Sequence, residues 1–312
     1  MNIYLECIPC FFKQAIEASR LSGANSKDQV KILKQIAEEI SQSDLSGSPP
    51  EMGKIIYGTV KKITKVRDPY EKIKAKSNRL ALTLYAKLDE SIRHSKDSLL
   101  KAVQLAIAGN IIDYGVKSSL DIDDEIKKIL KMEDRAIRNE NITLFDFNAF
   151  KKAITNSKVI LFIGDNAGEI VFDKLLIAEI KRRYKNKNII YAVRGKPIIN
   201  DALKADALQC GLHYAARIIS SGLDIPGTVL SLCSKVFLDV YRRADMVISK
   251  GQGNFEALSD KNKDLFFLFM AKCPVVARHI NCKIGDIILY RKKPKNILEQ
   301  GRKMKSCIIK NN

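Results

Sequence analysis

The chain has 312 residues, 46% of them hydrophobic, and its 54 Lys or Arg against 35 Asp or Glu give a formal net charge of +19. That length supports two domains or one large core. The longest apolar run, residues 265–271, falls well short of the roughly 20 residues a spanning helix needs, so no membrane partner is expected. Glu6 comes early and no basic-then-apolar leader precedes it, and the seven cysteines are odd in number and scattered, which reads as free thiols in a reducing, cytoplasmic setting.

The positive charge favours polyanions or phosphorylated small molecules as partners. Eight basic residues against the single acid Glu299 fall in residues 291–312, with only Tyr290 as a neighbouring aromatic. A basic nucleic-acid-associated protein therefore rests on charge alone and is the weaker alternative.

Up to about residue 155 the apolar spacing is helical, over 5–21, 30–40, 52–63, 80–88 and 99–112, with breaks at "SDLSGSPPE" and "RDPY". In the last of these a stripe runs Leu99, Val103, Ala106, Asn110, Asp113, so an apolar face ends in an amide and an acid. Asn110 and Asp113 are either exposed at a helix end or turned toward a site in the second half; the second is the expectation. From about residue 156, short β-branched runs alternate with helices. Strands are expected at 159–163, 188–193, 215–220, 246–249, 265–270 and 286–290, and helices at 169–183, 201–210, 229–243 and 255–259. The pattern predicts an α/β fold with a mainly parallel sheet and helices on both faces. Residues 1–155 then form a helical domain and 156–312 an α/β domain with a basic tail. Ligands of such sheets sit beyond the carboxyl ends of the strands.

Four loops occupy those ends. The first, "GDNAGE", sets Asp165 and Asn166 between Gly164 and Gly168, with Glu169 opening the next helix. Hard oxygen donors of this kind suit Mg²⁺ or Mn²⁺, and the helix start favours a phosphate. One polar residue would suffice for a helix cap; two make a site the better reading. The second, "RGKPIIND", brings Asp201, and neighbouring strand ends lie about 5 Å apart, so Asp201 can join Asp165 and Asn166 on one ion. The third, "SKGQGNFE", offers Lys250 and the backbone of Gly251, Gly253 and Asn254 as an anion cradle. It is neither a dinucleotide fingerprint nor a Walker loop. The fourth places Lys272 after the most apolar strand, where it reaches either an anion or water.

Cys7 and Cys10 form a CxxC with no second ligand pair in the sequence, so two thiols near a helix start is the simpler reading, and a metal or redox pair the other. No G-x-S-x-G occurs, and the Asp165 loop lacks the D-x-D of phosphatases that attack through an aspartate.

Taken in order, "FIGDNAGE", "RGKPIIND", "SKGQGNFEAL" and "LFMAKCPVVA" resemble the damage-control phosphatase family, once called domain of unknown function 89. "CIPC" and "AIAGNIIDYG" resemble its prokaryotic CxxC-bearing branch. The resemblance implies a helical bundle on a Rossmann-like α/β domain. It implies hydrolysis of small phosphate esters with a divalent metal such as Mn²⁺, Ni²⁺, Co²⁺ or Mg²⁺. It puts the metal on Asp165, Asn166 and Asp201, and substrate contacts on Glu169, Lys250, Gly251, Asn254 and Lys272. No arginine–threonine–x–lysine motif of the sugar-phosphate branch is present, and the CxxC branch is associated with damaged purine nucleotides. The expected activity is hydrolysis of a small phosphorylated metabolite by metal-activated water, with Asp165 or Glu169 as proton acceptor and an aspartyl intermediate on Asp165 as a variant. A non-catalytic nucleotide-binding module is the alternative. The sequence does not specify an oligomeric state.

Overall fold

The computed structural model describes residues 1–109 and 144–294. Asn110 and Asp113 lie outside the described residues, as does the basic tail from residue 295. Helices α1 (Cys7–Leu21), α2 (Ser26–Gln42) and α3 (Pro49–Thr64) share a small core of Phe11, Ala15, Ile32, Ile36, Met52 and Ile56. Local chemistry sets their ends. Asn25 caps α2 by accepting from the Asp28 N–H at 3.0 Å, and two prolines open α3 behind a Ser48 N–H that donates to Glu51 at 2.6 Å.

Helices α4 (Glu71–Arg93), α5 (Ser98–Ala108) and α6 (Phe147–Asn156) do not join that core; their apolar faces lie on one side of the sheet. The sheet comprises β1 (Val159–Ile163), β2 (Asn188–Val193), β3 (Arg217–Ser220), β4 (Met246–Lys250), β5 (Leu265–Met270) and β6 (Ile287–Lys292) in the order β3-β2-β1-β4-β5-β6. The first five run parallel and β6 pairs antiparallel with β5. Along β1 the side chains alternate: Ile160 and Phe162 face the layer of α4, α5 and α7 (Glu169–Arg183), while Leu161 and Ile163 face α9 (Lys235–Arg243) and α10 (Gln252–Leu258). Burial on both faces explains the nearly unbroken apolar runs. Two short helices, α8 (Lys204–Gln209) and α11 (Pro274–His279), complete the set.

The expectation of an α/β fold with a mainly parallel sheet holds. Several boundaries shift. The helix expected over 229–243 begins only at Lys235, because the Ser234 side chain caps it at the Phe237 N–H, 3.2 Å away. Strand order reverses between β1 and β4, which opens a crevice at their carboxyl ends. Helix α3 lies over that edge at backbone contact: a Cβ on Gly53 would meet Pro226 at 2.6 Å, and one on Gly227 would meet the Gly253 carbonyl at 2.7 Å and Pro50 at 2.7 Å. Among the described residues no helix is long and apolar enough to cross a membrane.

The chain start is tied to α10, where the Met1 ammonium donates to the Glu256 carbonyl at 2.6 Å. Burial pushes the Glu256 carboxyl up from 4.5 to about 7. The folded chain keeps this proton through that window while the unfolded chain releases it, so stability falls as pH rises through it. Glu256→Gln is expected to flatten the loss of stability between pH ~5 and ~7.5, read from urea midpoints at both. An equal loss in both proteins would refute this.

Candidate active site

The two loops expected to share an ion are joined through their backbones. Gly164 extends the β1–β2 ladder by donating to the Ala192 carbonyl at 3.0 Å. Next, the Asp165 carbonyl accepts from the Ala202 N–H at 2.8 Å, and the Ala167 N–H donates to the Asn200 carbonyl at 2.9 Å. Asn166 and Asp201 thereby form an antiparallel bridge. The helix expected to start at Asp201 starts instead at Lys204, because residues 201–203 are held extended: Arg194 and Leu203 form a second bridge, and the Arg194 N–H donates to the Ala202 carbonyl at 3.0 Å.

Around this pairing the side chains are oxygen-rich. The Asn166 amide donates to Asp165 Oδ2 at 3.1 Å and to Glu169 Oε1 at 2.9 Å. Glu169 Oε2 accepts no hydrogen bond, although the Lys250 ammonium is 3.5 Å away. The Asp165 carboxylate rests on the backbone of Gly251, where a Cβ would come within 1.9 Å of Oδ2 and where φ is +80°. Only glycine serves there on both counts. Among the described residues no three His, Cys, Asp or Glu side chains converge on one point. The set is two carboxylates and an amide, and half a turn of the Asn166 amide presents Oδ1 to the space its nitrogen now occupies. Such hard donors fit a divalent cation of the Mg²⁺ or Mn²⁺ kind.

Behind the loops lies a buried polar network. Asp201 Oδ2 accepts from Arg194 Nε at 2.6 Å, and Arg194 also donates to Thr228 Oγ1 at 3.1 Å and to Asn254 Oδ1 at 3.1 Å. The Asn254 amide donates in turn to the carbonyls of Gly164, at 3.2 Å, and Lys250, at 2.7 Å. Asn254 is fully buried and its hydrogen bonds are all internal, so it ties three loops together instead of gripping a ligand. Lys250 differs from expectation in the same way. It is 1% exposed, and its ammonium meets Asp173 Oδ1 at 2.8 Å, the Ala106 carbonyl at 2.8 Å and Glu169 at 3.5 Å. Burial acts to discharge this ammonium, but Asp173 and Glu169 outweigh it and hold its pKa above the ordinary lysine value. Gly253 lies in the first turn of α10 against Pro226, whose carbonyl a Cβ would approach to 2.2 Å. Lys272 is exposed beyond β5, and its N–H donates to Gln252 Oε1 at 3.1 Å. Cys7 and Cys10 lie at the start of α1, the first buried with its thiol pushed up by burial, the second exposed.

Sequence reasoning passed over Arg194, Asp173 and Asn78. Asp173 was findable: it stands four residues after Glu169 on a helix otherwise apolar at that end, and two acids on one buried stripe need a cation. Its other oxygen accepts from the Tyr191 hydroxyl at 2.6 Å. Asn78 carried no signal, sitting in the long charged helix α4. Its Oδ1 accepts from the Gly168 N–H at 2.7 Å and its Nδ2 donates to Asp206 Oδ1 at 2.8 Å. Asp206 is 4.0 Å from the Lys74 ammonium, which pairs with Asp68 at 2.7 Å. Asn78 thus braces Gly168, at φ +82°, between Asn166 and Glu169. Asn78→Ala leaves that N–H and Asp206 short of partners. We expect a loss of about 1–3 kcal/mol in denaturant unfolding and a fall in kcat that Asn78→Asp only partly restores. Unchanged kcat would remove Asn78 from the site's support.

The sequence matches the damage-control phosphatase ARMT1-like domain over residues 3–288. It is 36% identical to the uncharacterised protein MJ0202 of Methanocaldococcus jannaschii, over 94% of this chain and 96% of that one. It is 34% identical to the damage-control phosphatase PH1575 of Pyrococcus horikoshii, over 94% of this chain and 99% of that one. The crystal structure of PH1575, a DUF89 family protein, superposes with a TM-score of 0.84 at 31% identity, covering 94% of this chain and all of that one. On this match and these likenesses in sequence and fold, the chain belongs to the damage-control phosphatase (DUF89) family and is a metal-dependent phosphate-ester hydrolase.

Proposed function

We propose that the chain hydrolyses phosphate monoesters of small metabolites, nucleotides among them, at the carboxyl edge between β1 and β4. Asp165, Asn166 and Asp201 would hold the metal, drawn from Mn²⁺, Ni²⁺, Co²⁺ or Mg²⁺. When bound, such an ion polarises a phosphoryl oxygen and lowers the pKa of its water. The observation that supports the reading is the backbone pairing of residues 165–167 with 200–202, which joins the two loops that carry these residues.

The chain's own groups supply the rest. Asp165, half-exposed at the crevice, is the proton acceptor best placed to face a substrate. Glu169 is 1% exposed and orients the Asn166 amide, so it acts through Asn166. Lys250 holds the Glu169–Asp173 pair in charge balance, and Arg194 does the same for Asp201. Lys272, exposed beyond β5, would meet a phosphoryl oxygen or the leaving group.

Phosphate release screened over nucleotides, sugar phosphates and phosphopantetheine with each of the four metals tests the reading. Asp165→Ala should lower metal-stimulated kcat by about 10³-fold or more and weaken Mn²⁺ binding by calorimetry, with an unfolding midpoint near wild type. Retained turnover in that variant would overturn the assignment.

A further inference from the structure

A cavity of about 180 Å³ lies beside the metal loop, between α3, the α3–α4 connection and the loop after β2. It is below the roughly 300–1,000 Å³ of a site that buries a whole ligand, so it suits one group of a larger one. Four cations border it: Lys54 and Lys61, about two turns apart on α3, Arg67 from the connection and Lys196 from the β2 loop. Two acids also border it, and both are occupied. Asp68 is paired with buried Lys74 at 2.7 Å, and Asp224 is 3.8 Å from Lys196. Among the described residues Lys54, Lys61 and Arg67 make no ion pair. Three exposed like charges around one hollow make its potential positive, which favours an anion there.

The cavity adjoins the reaction site through one short piece of chain. Ile198 and Ile199 form part of its wall, and Asp201 follows Ile199 by two residues, so their Cα atoms are at most about 7 Å apart. Ile199 itself has φ +40°, a left-handed conformation that a β-branched residue adopts only under constraint. The same loop therefore supplies a candidate metal carboxylate on one side and a cationic hollow on the other. Tyr57 and Pro197 add an apolar wall.

We propose that this cavity is a second anion subsite of the catalytic crevice, which takes a phosphate or carboxylate carried on the leaving group. It rests on the phosphatase reading above and adds which esters are preferred: those with a second negative group beyond the phosphate that is cleaved.

The test compares adenosine 3′,5′-bisphosphate with adenosine 5′-monophosphate, on wild type and on Lys54→Ala/Lys61→Ala/Arg67→Ala, with Mn²⁺. In wild type the bisphosphate should have a kcat/KM at least about tenfold higher, and the triple change should cut that ratio about tenfold, mainly through KM. Arg67→Glu should cut it further than Arg67→Ala. A ratio near one in wild type, or the same ratio in the variants, overturns the proposal. Binding of the bisphosphate to Asp165→Ala, with and without the triple change, reads the subsite independently of hydrolysis. No phosphate release by wild type with any of the four metals, alongside an intact tenfold binding difference, counts against the phosphatase reading alone; no binding difference counts against the subsite. If inorganic phosphate binds wild type but not the triple variant while the substrate ratio is unchanged, the hollow serves a free anion and the proposal fails.

Discussion

Two backbone hydrogen bonds, Ala202 N–H to the Asp165 carbonyl and Ala167 N–H to the Asn200 carbonyl, hold the chemistry of this chain together. Parallel strands end with their loops diverging into separate crossovers. Here the loop after β2 doubles back and pairs antiparallel with the loop after β1, adding one rung beyond the sheet. That rung ties the backbone of Asp165 and Asn166 to that of Asp201. Glycine is required at the closest approach, because a Cβ on Gly164 would lie 2.5 Å from the Tyr191 hydroxyl and one on Gly251 would collide with Asp165.

Charge is arranged in the same spirit. Glu169, Asp173 and Asp201 are nearly dry, and buried carboxylates left alone are costly. Lys250 answers the first two and Arg194 the third, each through contacts of 2.6–3.5 Å. These cations are spent on buried carboxylates, while Asp165 stays half-buried at the crevice. Thr228 and Asn254 then link Arg194 to the β1 and β4 loops, so that a shift in one loop is felt in the others.

The helices ahead of the sheet divide between two tasks. Helices α4 and α5 cover one face, and α4 reaches the site directly through Asn78. Helices α1 to α3 keep a core of their own, and α3 presses on the loops after β3 and β4 at glycine contacts. The cationic hollow arises where α3 meets the β2 loop, and its Asp68 is connected through Lys74, Asp206 and Asn78 to the backbone of Gly168.

By itself the sequence determined the sheet and which strand ends carry polar loops. Short, nearly unbroken apolar runs between helices, each followed by a polar loop, point to one edge of a parallel sheet, since side-chain alternation and chain handedness are local properties. Asp165, Asn166 and Asp201 are singled out by their loops for that reason, and Asp173 was within reach of a helical stripe. The tertiary structure alone decided what each polar group faces. Lys250 and Asn254 read along the chain as ligand-binding groups, but their partners include Ala106, Asp173, Arg194 and Gly164, between 60 and 144 residues away. Strand order and the position of Asn78 and α3 over the loops follow from packing between distant segments, and no local pattern encodes which distant segment arrives.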